Sequence, residues 1–299
     1  PSKNEEAMNG VSTYDMVLMQ RHILGLVEIS DPYTQIAADV NNSGSVSTSD
    51  MVAMRRVILN INPDFGSTQS WRFVVADHNF SSGGTFPEDY PLDNPTTDMQ
   101  VDFIGIKIGD INSNAKTELL GDDELIGAPL AFTVQDQRMV AGELYTVAFN
   151  AKDFENVIGF QYTLQFDAIA IELGAITSGA LELNDQNHNL SESDLGLVAT
   201  NWYNALPISV DDEDVLFSVN VTAKEDMLLS DVLSIGSEKT RAESYKQAHI
   251  DAPLITGDAT INFIQPEINI EGFELGQNAP NPFAGSTEIS IQVPSTIDG

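Results

Sequence analysis

Asp39-Val40-Asn41-Asn42-Ser43-Gly44-Ser45-Val46-Ser47-Thr48-Ser49-Asp50 is a twelve-residue loop with a strict distribution of oxygen. Side-chain oxygens stand at positions 1, 3, 5, 9 and 12, supplied by Asp39, Asn41, Ser43, Ser47 and Asp50. Gly44 holds position 6, and Ser45 at position 7 would offer its backbone carbonyl. Calcium is a hard cation that takes six to eight oxygens in a flexible cage, and a glycine at the sixth position permits the sharp turn. These six residues are the first candidate calcium ligands, with Val46 anchoring the loop in a core. The competing reading is a metal-free polar turn before a helix, with Asp50 only in the first helical turn.

Working outward, the loop belongs to a repeat. Val46-Ser47-Thr48-Ser49-Asp50-Met51-Val52 has a counterpart thirty-five residues earlier in Val11-Ser12-Thr13-Tyr14-Asp15-Met16-Val17. Met19, Arg21, Ile23 and Leu24 match Met54, Arg56, Ile58 and Leu59. Each copy reads as a loop and then a helix with one broad apolar face. Gly25 ends the first helix; Asn60 and Pro63 end the second.

The first loop is poorer. In register it runs from Asn4 to Asp15, with Asn4, Glu6, Ser12 and Asp15 as possible ligands. Met8 falls at position 5, where it cannot ligate calcium, and the glycine has slipped to Gly10. A third set, Asp110, Asn112 and Asn114, resembles the opening of another loop, but no helix-starting Asp follows it. Three oxygens are too few alone, so this set would need ligands from elsewhere or be a polar turn.

The expected fold is multidomain. A small α loop–helix repeat over 1–65 is followed by an irregular strand-containing extension over 66–115. In the extension, Trp71 to Val75 and Phe103 to Ile108 are apolar runs. An acidic linker spans 116–127. Over 128–264 the pattern alternates: Tyr145, Val147, Phe149; Phe160, Tyr162, Leu164, Phe166; Leu216, Val219, Val221. Such spacing predicts an all-β sandwich. A linker over 265–272 leads to a β tail over 273–299.

The aspartate at position 12 and the tandem loop–helix units resemble dockerins. The resemblance implies calcium binding and a protein partner. It places partner contacts at Thr13, Tyr14, Gln20 and Arg21 in the first copy, and at Thr48, Ser49, Arg55 and Arg56 in the second. The implied partner is a cohesin, a β-sandwich, on another molecule or on another copy of this chain; the competing reading is that the two domains pack within one molecule or bind unrelated partners. Residues 128–264 themselves resemble a cohesin-like sandwich through Ala141 to Val147 and Ile158 to Leu164. The tail, with Leu275-Gly276-Gln277-Asn278, Pro280-Asn281-Pro282-Phe283 and Thr287-Glu288-Ile289, resembles the start of the sorting domain used in type IX secretion. That implies a Bacteroidetes-like source and a secreted or cell-surface protein.

Composition narrows the function. The chain has 299 residues, 45 acidic and 13 basic, for a net charge of −32. Such a surface repels nucleic acid and anionic membranes and suits divalent cations. No apolar run is long enough to span a bilayer. There is no cysteine, so calcium is the natural crosslinker of loops outside the cell. The start at Pro1 reads as a mature product or a fragment. His22, His78, His188 and His249 fall in no zinc or nucleophile motif, and a pair such as Asp211-Asp212 means little among so many acids. The chain is therefore expected not to be an enzyme. Two functions remain: an assembly protein, including head-to-tail fibres, or an accessory polysaccharide-binding or adhesin region of a larger secreted enzyme. For the latter Trp202 and Tyr203 would be a stacking platform, although a Trp-Tyr pair in a strand is more often core.

Overall fold

The computed structural model describes residues 1–66, 68–80, 86–91, 98–117, 125, 127–265, 274–275, 286–289 and 291–292. Residues 1–264 form one compact unit. Its first part holds three helices, α1 (Thr13–Ile23), α2 (Pro32–Ala38) and α3 (Thr48–Ile58). Both repeat helices begin on a capping box. Ser12 caps α1 with Asp15 at the third helical position, and Ser47 caps α3 with Asp50. Both end on a left-handed residue, Gly25 at φ +69° and Asn60 at φ +54°, with the closing bonds Leu26 N to Arg21 O and Ile61 N to Arg56 O, each 2.8 Å. The short helix α2 is not visible in the periodicity. It is made by Asp31 as N-cap and Pro32 in the first turn.

The extension supplies a two-stranded antiparallel ribbon, β1 (Trp71–Val75) and β2 (Phe103–Lys107). Val74, Ile106, Ile108 and Ile111 join Met16, Met19, Met54 and Ile58 in one apolar core. Lys107, 4% exposed, reaches between the layers and donates to Ala7 O and Ile108 O.

The rest of the unit is a β-sandwich. Its strands are β3 (Leu130–Gln135), β4 (Arg138–Met139), β5 (Leu144–Ala151), β6 (Val157–Phe166), β7 (Ile171–Ser178), β8 (His188–Asn189), β9 (Leu197–Ile208), β10 (Phe217–Ala223), β11 (Met227–Leu228), β12 (Leu233–Gly236), β13 (Glu243–Lys246) and β14 (Ile255–Ile264). One path runs β7-β10-β5-β3-β14-β13-β6-β9-β8, with β12 also on β6 and a small β4–β11 pair apart. The first and last strands of the sandwich, β3 and β14, pair in parallel. The layers meet on aromatic rings: Phe132 of β3 lies edge-on to Phe160, Tyr162 and Phe217. Strand β6 is buried on nearly every residue, against the half-buried alternation of β10. Its inner face lines the core, and its outer face is covered by α1.

Residues 265–299 form a separate unit, in which β15 (Glu274–Leu275) pairs with β16 (Ile291–Gln292). Most of the sorting-domain motif, including Pro280 to Phe283, lies outside the described residues, as does most of the 116–127 linker.

Candidate functional site

The 39–50 loop closes on two carboxylates. Asp39 accepts from Ser43 N and Gly44 N, both at 2.8 Å. Asp50, fully buried, accepts from Asn41 N at 3.1 Å and from Ser47 N and Oγ, both at 2.9 Å. Asn42 at position 4 is left-handed, φ +56°. Ser43 Oγ lies 3.4 Å from Asp39 Oδ1 and 3.2 Å from Ser45 O. That is about the spacing of neighbouring oxygens around a cation with bonds of ~2.3–2.6 Å.

The first expected cage, Asn4 to Asp15, does not form. Asn4 turns away to accept from Ser70 N, and Glu6 is exposed at φ +52°. Ser12 and Asp15 instead close on Asp110 to Asn114, so two incomplete candidate sets become one loop in two pieces. The bonding repeats that of 39–50. Asp110 accepts from Asn114 N at 3.0 Å and Ala115 N at 2.9 Å. Asp15 accepts from Ile111 N at 2.8 Å and Asn112 N at 3.3 Å, then from Ser12 N at 2.9 Å and Oγ at 3.1 Å. Ser113 stands where Asn42 stands, with φ +60°.

The two pieces are fastened beside the gap. Asn9 Nδ2 donates to Lys116 O at 2.7 Å, and Lys116 N donates to Asn9 Oδ1 at 3.0 Å. Gly10, φ +71°, occupies the place of Ser45, and a Cβ there would sit 2.7 Å from Ala115. Ala115 occupies the place of Gly44. In the continuous loop that residue must turn the chain, with φ +86°. In the split loop the chain leaves instead, so no glycine is required.

Burial, and after it the charge of Asp110, push Asp15 up to about 7; burial also raises Asp110. Burial lowers nearby Lys107 to about 8, against the pull of Asp110 and Asp15. Among the described residues no three His, Cys, Asp or Glu side chains converge as a metal site. Each loop brings two carboxylates and otherwise neutral oxygens, a donor set that fits calcium better than a transition metal.

The partner-facing residues divide sharply. Thr13 N donates to Gln161 Oε1 at 2.7 Å. Tyr14 stacks on Tyr245, centroids 6.0 Å apart, and Val17 packs with Ile158 and Tyr245. Arg21, 1% exposed, donates to Ala205 O at 2.8 Å. Arg55 meets Gln186 and the Tyr203 hydroxyl. The C-terminal carbonyls of α3 are capped from the sandwich: Thr240 Oγ1 donates to Ile58 O at 2.6 Å and Asn189 Nδ2 to Leu59 O at 2.9 Å. Gly159 lies under Thr13, where a Cβ would come within 3.0 Å of Thr13 Cγ2. Gln20 is half-buried, and Thr48, Ser49 and Arg56 are exposed or half-exposed.

These residues engage the sandwich of their own chain, the packing within one molecule that stood as the alternative to docking on another copy. Of the two readings of the Trp202-Tyr203 pair, the structure has the core one for Trp202. Trp202 is 5% exposed and stacks on Phe160 in the core, while Tyr203 serves Arg55. Sequence reasoning missed the receiving residues Gln161, Asn189, Tyr203, Thr240 and Tyr245, because no local pattern marks which outer face of a sandwich will be covered.

Neither protein-family models nor curated proteins match the chain. Solved structures do. The seventh ScaB type I cohesin of Pseudobacteroides cellulosolvens is 13% identical, over 47% of this chain and 95% of that one, with a TM-score of 0.33. A chain of a type I cohesin–dockerin complex from Clostridium thermocellum is 18% identical, over 48% and 100%, TM-score 0.31. A non-cellulosomal cohesin from the archaeon Archaeoglobus fulgidus is 15% identical, over 45% and 92%, TM-score 0.28. At TM-scores this low the likenesses carry no weight for function. No helix among the described residues is long and apolar enough to cross a membrane.

Proposed function

We propose that this chain is a non-catalytic, calcium-binding structural or assembly protein of the bacterial exterior, in which a dockerin-like helix pair is docked on a cohesin-like sandwich of the same chain. The carrying observation is the duplicated loop: Asp39 and Asp110 accept from positions 5 and 6, and Asp50 and Asp15 accept from positions 3 and 9, with Asp15 holding Ile111 N at position 2 as well. One site is Asp39, Asn41, Ser43, Ser45 carbonyl, Ser47 and Asp50. The other is Asp110, Asn112, Asn114, the Gly10 carbonyl, Ser12 and Asp15. Calcium in these cages does what disulfides would otherwise do, and the second cage ties the extension to the repeat. Export by a type IX-like route is supported by the tail motif at Leu275 to Ile289.

Calcium calorimetry tests the reading. Two equivalents are expected for the intact chain, one for Asp50→Ala and one for Asp110→Ala. Stoichiometry unchanged in both variants would sink the assignment.

A further inference from the structure

Asn9-Gly10 is the single Asn-Gly pair in the chain, and it lies at the seam of the split loop. Glycine after asparagine leaves the carboxamide open to attack by the next backbone nitrogen, because no side chain stands in the way. The fold requires both residues. Gly10 has φ +71°, and a Cβ there would sit 2.7 Å from Ala115, so a side chain has no room. Asn9 answers the C=O and the N–H of Lys116 together, at 2.7 Å and 3.0 Å, which takes a group with a donor and an acceptor side by side. The seam therefore carries a reactive pair as a condition of closing.

The closed seam also restrains that pair. Cyclisation needs the Asn9 carboxamide to swing onto the Gly10 nitrogen and needs Nδ2 to leave, yet Lys116 holds both Oδ1 and Nδ2. The Gly10 N–H has no hydrogen-bond partner among the described residues. Lys116 is itself placed by Asp110, whose carboxylate takes Asn114 N and Ala115 N just before it. Segments held by a few such bonds open locally, far below the free energy of global unfolding.

We infer that Asn9 is a self-modification site, protected while the split loop is closed and deamidated when it opens. The Gly10 nitrogen gives up its proton and bonds to Asn9 Cγ; the Cγ–Nδ2 bond breaks, and Nδ2 leaves as ammonia. Water then opens the cyclic imide at either carbonyl, giving aspartate or isoaspartate with no change of oxidation state. Neither product restores the Nδ2 donor, and each sets a carboxylate against the Lys116 carbonyl. Each also adds a negative charge to a chain already at −32. The change is one-way: a loop that has stayed open long enough no longer closes as before. The seam stands apart from the calcium reading, and only the calcium arm of the test rests on that reading.

The intact chain is aged in saturating calcium, in chelator and in urea, and aspartate and isoaspartate at Asn9 are followed by peptide mass spectrometry. Urea gives the rate of the unprotected pair. In calcium the rate at Asn9 is expected to be at least about tenfold lower, and to rise in chelator. Asp110→Ala releases Asn114 N and Ala115 N and should approach the urea rate in either buffer. Asn42, which precedes Ser43 in the continuous loop, is the internal control. Equal acceleration there marks global unfolding, and Lys116→Pro, which deletes the N–H donated to Asn9 Oδ1, then replaces Asp110→Ala with the same expectation. An intact chain that deamidates at Asn9 as fast in calcium as in urea overturns the inference. So does a loosened variant no faster than the parent in calcium. A variant that speeds up while the parent is indifferent to calcium supports the seam and counts against calcium at the split loop.

Discussion

Two copies of nearly one sequence, 11–24 and 46–59, meet different fates in this molecule. The second copy closes its loop on its own preceding residues and turns Thr48, Ser49 and Arg56 toward solvent. The first closes its loop on a segment almost a hundred residues away and buries Thr13, Val17 and Arg21 against the sandwich. Local sequence decides that a capped helix follows a loop. What lies beyond the cap is decided by the rest of the chain.

Paired substitutions at equivalent positions measure that difference. The largest gap belongs to Asp15→Ala against Asp50→Ala. Asp15 holds three backbone N–H groups, two of them from the distant segment. Orphaning them in a buried site should lower stability by about 3–5 kcal/mol. Asp50, as fully buried, holds two, from Asn41 and Ser47, and its loss should be about 2 kcal/mol. Urea unfolding with equal losses would break the comparison.

The buried carboxylate also predicts a pH slope. Asp15 stands at about 7 in the folded chain against 3.8 ordinarily, for burial first and Asp110 second. Across that window the folded chain keeps a proton that the unfolded chain has released. In chelator, stability should therefore fall as pH rises from about 4 to 7. Asp15→Asn should flatten that part of the curve; an unchanged slope would assign it to other groups.

A smaller gap is expected for the arginines. Arg21→Ala loses a buried side chain and its bond to Ala205 O, about 2–4 kcal/mol, whereas Arg56→Ala at an exposed position should stay within about 0.5 kcal/mol. Chemical unfolding of the two variants gives the answer directly. The caps should show no gap at all. Ser12→Ala and Ser47→Ala each remove an N-cap and should each cost about 1 kcal/mol. A clear inequality in their melting shifts would mean that the split loop leans on Ser12 beyond its capping role.

Much was legible in the order of residues alone. The two repeat helices, their caps and ends, the 39–50 loop, the ribbon and the alternating strands all arise from residues within one turn or one strand of each other, where steric and hydrogen-bond preferences act directly. The sequence even carried both halves of the split loop. Asp110-Ile111-Asn112 opens as Asp39-Val40-Asn41 opens, and Val11 to Asp15 closes as Val46 to Asp50 closes. That one is an opening without an end and the other an end without an opening was the available clue. Joining them required Lys107, Asn9 and Gly10 to bring the pieces together, which is a matter of packing between segments and leaves no periodic trace. The docked face was likewise half legible. Thr13, Tyr14, Arg21 and Arg55 could be picked out on the helices, and packing on the chain's own sandwich stood among the alternatives; that the β6–β9 face was the receiver could not be read. Residue type sets what a surface can bind; which surface comes to lie against it is set by where the whole chain folds back, and that only the tertiary structure decided.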